Sequence, residues 1–370
     1  MLKQKKSFFL LLTPVSIIIL LLVRNNSWIA EYIFAQGVYK LLAQLISNIT
    51  GLIPFSLMEL FIYITIILSI SLLVYIVRII FSRNKDKGNK SLNLLINISC
   101  VFSVLLFLFT IFAGTNYYRY SFSEINNIKV EESSIEELYK LNLYLVEQAS
   151  TIREELELNQ DHINEMGILE ADNISWLELT NSVEDAYINL SENYPTLGGS
   201  FGRAKPVLYS KFMSRMEITG IFWPFSLEAN INIHVPDYTI PATIAHEMAH
   251  QRGFMREDEA NYIAYLACIH SEDLLLQYSG TMLALTQAGN ALYKEDPDLY
   301  YETRSYFYEG MHVDLRDKSN YWSQFDNTVI STASTKMNDT YLKVNNQKDG
   351  VKSYGRMVDL LLAGLKAEYL

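Results

Sequence analysis

The hydrophobic pattern splits the chain into an apolar first third and a mixed remainder. Residues 8–23 are almost wholly apolar behind Lys3, Lys5 and Lys6, and no small-x-small cleavage site follows them, so they read as a retained anchor. Residues 60–81 and 92–113 are each long enough to cross a bilayer at 1.5 Å per residue. Residues 28–51 mix apolar and polar positions in the manner of an interfacial helix. Three spans are therefore expected within a membrane anchor of residues 1–114, ahead of a domain of residues 115–370.

In that domain, helical periodicity is expected over 130–156, opened by the cap Ser133-Ser134-Ile-Glu136-Glu137, and over 176–193, closed by Tyr194-Pro195 and a Gly198-Gly199 turn. Further helices are expected over 272–293, 298–313 and 352–367. Between Pro206 and Pro236 the texture changes to short strands at Val207-Leu-Tyr, Ile221-Phe-Trp and 229–235, separated by Gly220 and Pro224. The last of these alternates with period two, as a half-buried strand does. It is either an edge that pairs with an extended peptide or a plain structural strand with Asn230 and Asn232 solvated. The fold class is α+β: three transmembrane helices, then a mainly helical domain with a small β-sheet.

Charge adds orientation. Residues 1–114 carry ten Lys/Arg against three acids, and the remainder twenty against thirty-eight. An acidic domain argues against a nucleic-acid partner, which wants a cationic surface. The short basic loop Ser82-Arg-Asn-Lys-Asp-Lys-Gly-Asn-Lys and the N-terminal lysines should face the cytoplasm, which puts residue 115 onward outside. The two cysteines, Cys100 in the third apolar stretch and Cys268 in a helical one, are poor partners for each other, and Cys268 reads as a small core residue.

The chemistry lies in Thr243-Ile-Ala-His246-Glu247-Met-Ala-His250-Gln-Arg-Gly253, which contains His-Glu-x-x-His. On a helix, His246 and His250 stand one turn apart on one face and can grip a single Zn²⁺, while Glu247 lies about 100° round the helix, placed to activate a zinc-bound water. The apolar run from Ile240, the uncharged Met248 and Ala249, and the break at Gly253 separate this stretch from a solvated surface helix. Its flanks (Asp237, Gln251, Arg252, Arg256, Glu257, Asp258) are too polar for hydrocarbon.

A catalytic zinc needs a third protein ligand, and Glu257 and Glu259 are the candidates. Glu257 is preferred because Asn261, four residues on, shares its face and can hold a histidine ring. His312, Tyr341 and Tyr354 are candidate donors to the oxyanion of a tetrahedral intermediate. His234 reads as a polar strand-end residue, and His162 and His270 as ordinary surface residues.

These residues carry a resemblance. Glu257-x-x-Ala260-Asn261 resembles the second motif of gluzincin-type metallopeptidases, with Asn where that family has an acid. Over nearly its full length the chain is similar to the DUF3810 family of bacterial membrane proteins. The matching features are the three expected N-terminal membrane spans, Pro224-Phe225 with Glu228-Ala-Asn-Ile-Asn232, the HEMAHQRGF and EDEAN motifs, and near the end Asn338-Asp339-Thr-Tyr341-Leu-Lys343 with Gly350-Val-Lys-Ser353-Tyr354.

The resemblance implies a zincin-like domain and a zinc peptidase, and brings no established substrate. Taken with the apolar stretches and the charge pattern, the expectation is a protein multi-pass in a bacterial cytoplasmic membrane, acting on a peptide or protein substrate outside it. The competing expectations are a non-catalytic zinc-binding sensor or scaffold, and a hydrolase of cell-wall peptides.

Overall fold

A computed structural model describes residues 6, 8–82, 86–160, 162–170, 175–326, 328–344 and 356–369. The molecule is mostly helical, with one three-stranded sheet. The first apolar helix, α1 (Leu12–Arg24), follows a 3-10 turn over Phe8–Leu11. Ile29–Tyr39 then winds as a π-helix and continues as α2 (Lys40–Gly51). Next come α3 (Leu57–Phe81) and α4 (Lys87–Phe112).

Among the described residues two helices, α3 and α4, are long and apolar enough to cross a membrane, rather than the three expected. The stretch Phe8–Arg24 is apolar but short: its rise of about 25 Å falls below a hydrocarbon core of about 30 Å. It lies along α4 instead, with Thr13 and Ser103 hydroxyls 2.7 Å apart between them. The π-helix and α2 bury a narrow stripe of Ala30, Ala35, Tyr39, Ala43 and Ser47. From Tyr39 to Ser47 that stripe packs on the second half of the chain. Gly202 approaches α2 so closely that a Cβ there would sit 1.9 Å from the Ser47 carbonyl oxygen.

The remaining helices are α5 (Ile135–Leu158), α6 (Trp176–Asn193), α7 (Ile240–Gln251), α8 (Glu257–Ile269), α9 (Leu274–Glu295), α10 (Pro297–Arg304), α11 (Glu309–Ser323), α12 (Val329–Val344) and α13 (Met357–Tyr369). The expected cap opens α5 as a capping box, with Ser134 accepting from the Glu137 N–H and Glu137 accepting from the Ser134 N–H. The helix expected over 298–313 is interrupted between Arg304 and Glu309. There the Tyr308 N–H turns to the Ser150 hydroxyl of α5 instead of a helical carbonyl. One continuous core runs through α5, α6, α7, α8 and α9. Gly280 lets α9 approach α8 to the point where a Cβ would lie 2.3 Å from Cys268 Cβ. Cys268 is a buried core residue, as expected.

The sheet consists of β1 (Lys205–Pro206), β2 (Gly220–Trp223) and β3 (Glu228–Ile231) in the order β1-β3-β2. β1 runs parallel to β3, with Lys205 opposite Asn230, and β2 runs antiparallel, with Gly220 opposite Ile231 and Trp223 opposite Glu228. Two expectations change. The strand placed at Val207-Leu-Tyr ends at Pro206, because the Leu208 and Tyr209 N–H groups are taken by the Glu59 carboxylate, each at 2.9 Å. The alternating strand is the central one, buried on both faces. Asn230 and Asn232 are fully buried and bonded: Ser56 donates to Asn230 Oδ1 at 2.6 Å, and Asn232 donates to the Ile218 carbonyl at 2.8 Å. The strand with one unpaired edge beside α7 is therefore β2.

A buried polar cluster ties α3 to this sheet. The Glu228 carboxylate accepts from the Leu57 and Met58 N–H groups at the N-terminus of α3 and pairs with Lys205. Lys205 Nζ also donates to the Thr50 and Phe55 carbonyls. The anion sits where the helix dipole favours it.

Candidate metal centre

Helix α7 is mostly buried, and its neighbours explain its placement. Tyr187 of α6 donates to the Ala245 carbonyl at 2.6 Å. At the C-terminal end Tyr39 donates to the His250 and Gln251 carbonyls at 3.1 and 3.0 Å, satisfying acceptors that the helix leaves open. Gly253 turns the chain at φ +89°, where it meets the Tyr39 ring. Gln251 and Arg252 point inward rather than to solvent. Gln251 donates to the Gly202 and Leu227 carbonyls, and Arg252 pairs with Glu184 at 2.8 Å and covers the Tyr187 ring.

The His246 and His250 rings lie one turn apart, with centroids 4.7 Å apart and planes 86° to each other. The turn after Gly253 returns the chain so that Glu257, first residue of α8, faces both. His246 Nε2 lies 3.2 Å from Glu257 Oε2, and His250 Nε2 lies 3.8 Å from Glu257 Oε1. One ligand atom from each of the three falls within 4.8 Å of the others. A tetrahedral zinc with bonds of about 2.0–2.1 Å holds its ligand atoms roughly 3.3 Å apart, so the spacing is close to that of a metal shell.

The imidazoles are set by their other nitrogens. His246 Nδ1 is 2.9 Å from Asn261 Oδ1, and His250 Nδ1 is 2.7 Å from the Phe254 carbonyl oxygen. Both partner atoms accept, so each Nδ1 donates to them and each ring turns Nε2 toward Glu257.

Glu247 reaches the same space from the next position on the helix. The Phe222 N–H of β2 donates to its carboxylate, while its Oε2 is buried with no hydrogen-bond partner among the described residues. Room for it comes from Gly220, where a Cβ would lie 2.5 Å from Glu247 Oε1. A glycine inside a strand signals such an approach, and this one was visible in the sequence only as a strand separator.

Electrostatics favour a cation. Burial lifts the Glu247 carboxyl to about 8, against the pull of His246. Burial would also lift Glu257, yet the hydrogen bond from His246 and the charges of both histidines hold it below the ordinary value. Burial brings His250 down to about 4. It acts the same way on His246, where the Glu257 hydrogen bond and charge outweigh it and raise the pKa. Two buried carboxylates and two Nε2 atoms in one pocket, with one carboxylate oxygen unpartnered, fit a divalent cation.

The other site candidates separate cleanly. Glu259 faces away: its carboxylate accepts from the Phe122 N–H at 3.0 Å and from Arg256 at 2.8 Å, so it anchors α8 and Glu257 alone joins the histidines. His312 packs against Phe307 and is not part of the cleft wall. Tyr341 of α12 does line the cleft, and its hydroxyl accepts from Tyr117 at 2.9 Å. Tyr354 lies outside the described residues. His234 hydrogen-bonds Tyr321 through Nδ1, away from the three-residue group.

The cleft that holds these residues has a volume of about 850 Å³ and is walled by β2, α7, α8, α9 and α12. No curated protein and no solved structure matches the chain. A family profile described as "Protein of unknown function (DUF3810)" matches residues 34–362, and the chain belongs to that family.

Proposed function

We propose that this protein is a membrane-anchored zinc metallopeptidase that hydrolyses peptide bonds on the extracytoplasmic side. One observation carries the reading: His246, His250 and Glu257 converge on one point, with the unpartnered Oε2 of Glu247 beside it. Three protein ligands leave a coordination position open, as catalytic zinc sites do and four-ligand structural sites do not.

His246, His250 and Glu257 would hold Zn²⁺, which supplies a Lewis acid that polarises a carbonyl and acidifies water. The chain's own residues do the rest. Glu247 takes the proton from the attacking water and returns it to the leaving amine; it is buried beside the histidines with one carboxylate oxygen free of hydrogen bonds to accept that proton. The outer edge of β2, beside Glu247, aligns an extended peptide through main-chain hydrogen bonds. Tyr341, which lines the cleft and is oriented by Tyr117, would donate to the developing oxyanion. The basic residues between α3 and α4 favour the cytoplasm at that end, which leaves the catalytic domain outside.

The test uses purified full-length protein in detergent, loaded with Zn²⁺ and incubated with a peptide library read by mass spectrometry. Wild type cleaves, Glu247→Gln keeps zinc and loses turnover, and His246→Ala loses both. Zinc retained by the wild type without cleavage of any peptide would support the sensor or scaffold role instead.

A further inference from the structure

The cleft continues from the metal centre to the membrane helices. Its wall includes Phe109, three residues before the end of α4, together with β2 and the Pro224-Phe225 turn that follows it. The first turns of α4 carry Lys87, Asn89, Lys90 and Asn93. The mainly apolar run from Leu94 to Phe112 then rises about 28 Å, close to one hydrocarbon thickness. Phe109 is thus level with the outer edge of the hydrocarbon.

Helix α3 reaches the same wall. Phe61, in its second turn, stacks on Phe225 with centroids 6.1 Å apart and planes 12° apart, and meets Trp223 at 5.6 Å; Trp223 and Phe225 meet at 5.3 Å. Nearby, Glu59 in the first turn of α3 holds the Leu208 and Tyr209 N–H groups. The segment so fixed leaves Leu208 82% exposed, with Tyr209 and Phe212 exposed beside it. Aromatic rings grouped at the end of a span, next to unburied apolar side chains, mark the depth of the lipid–water boundary.

We infer that this site takes its substrate from the membrane side: the peptide segment just outside the bilayer in another membrane-anchored polypeptide. The inference rests on the peptidase reading above. The charged residues of the cleft wall are Glu217, Glu247, Glu257 and Lys318, three acids to one base. With the divalent cation of the peptidase reading counted, these charges cancel, which suits an uncharged segment, and the outer edge of β2 offers main-chain hydrogen bonds that a peptide can use. An extended chain covers at most about 3.3–3.6 Å per residue, so the bonds within reach of a cleft at this depth lie within about ten residues of the span.

The experiment co-reconstitutes the zinc-loaded full-length protein in phosphatidylcholine vesicles with single-span peptides. Each peptide carries a randomised twelve-residue segment placed 0, 10, 20 or 40 residues beyond its span, and the randomised segment alone is supplied as a soluble peptide. Tethering is the same throughout the series, so only distance varies. Cleavage should be at least tenfold faster at spacers of 0 and 10 than at 40, and Trp223→Ala with Phe225→Ala should flatten that dependence. Metal-dependent cleavage of the soluble peptide with equal rates along the series would overturn the membrane-side substrate and leave the peptidase reading standing. Absence of cleavage of every peptide would remove both. Release of fatty acid or headgroup from the vesicles in place of peptide cleavage would assign the cleft to lipid.

Discussion

Asn261 offers the sharpest test of how the proposed metal centre is built. Its Oδ1 takes the His246 Nδ1 proton at 2.9 Å and thereby fixes both the tautomer and the ring orientation that present Nε2 to Glu257. Removing such a partner of a metal-ligating histidine weakens metal binding by about 10–100-fold, or roughly 1.4–2.8 kcal/mol. Asn261→Ala should fall in that range, because the half-buried His246 has Glu257 as its remaining polar anchor and the ring can then rotate. Asn261→Asp should bind at least as tightly as the wild type, since a carboxylate accepting the same proton makes the imidazole a better donor to the metal. The assay is competition with a chromophoric chelator in detergent micelles, with far-UV circular dichroism as a check on folding. An Asn261→Ala protein that folds and binds zinc with unchanged affinity would refute the claim that this hydrogen bond sets the His246 ring.

Three further outcomes follow from the geometry. Glu257→Gln should lose zinc while keeping its fold, whereas Glu259→Gln should keep zinc and lower the thermal midpoint, because only Glu259 holds the Phe122 N–H and Arg256; zinc content and melting curves of the two variants decide this. Gly220→Ala should retain zinc yet lose about 10²-fold in peptide hydrolysis, because the new Cβ would meet Glu247 Oε1 at 2.5 Å and displace it by an ångström-scale shift; steady-state kinetics with a zinc assay separates this from unfolding.

The pH dependence concerns the zinc-free protein. There the Glu247 carboxyl sits at about 8, above its unfolded value, so the stability tied to its protonated form is present below the ordinary carboxyl range and lost as pH rises toward 8. Glu247→Gln should therefore be more stable than wild type by a few kcal/mol at pH 8, with a smaller gap at pH 5; denaturant melts at both pH values test it, and a pH-independent difference would contradict it.

The sequence by itself determined the parts that depend on local spacing. Four-residue spacing puts His246 and His250 on one helix face in any fold that keeps α7 helical, and the capping residues at Ser134 and the breaks at Tyr194-Pro195 delimit α5 and α6 in the same way. Two long apolar runs mark α3 and α4, whereas the shorter run at residues 8–23 reads as a third span in the sequence and falls short of one in the structure.

Tertiary structure alone decided what depends on distant partners. Glu257 and Glu259 lie two residues apart with the same chemistry, and the Phe122 N–H, 137 residues away from Glu259, is one of the contacts that tell them apart. Period-two alternation in β3 is the same whether the second face meets water or protein; Ser56 and Ile218, bonding Asn230 and Asn232, make it protein. Tyr39 supports the end of α7 across 211 residues of chain, and no local pattern encodes that contact. Periodicity reports which face of an element is apolar, but the identity of the group that satisfies a buried polar atom is a property of the packed molecule.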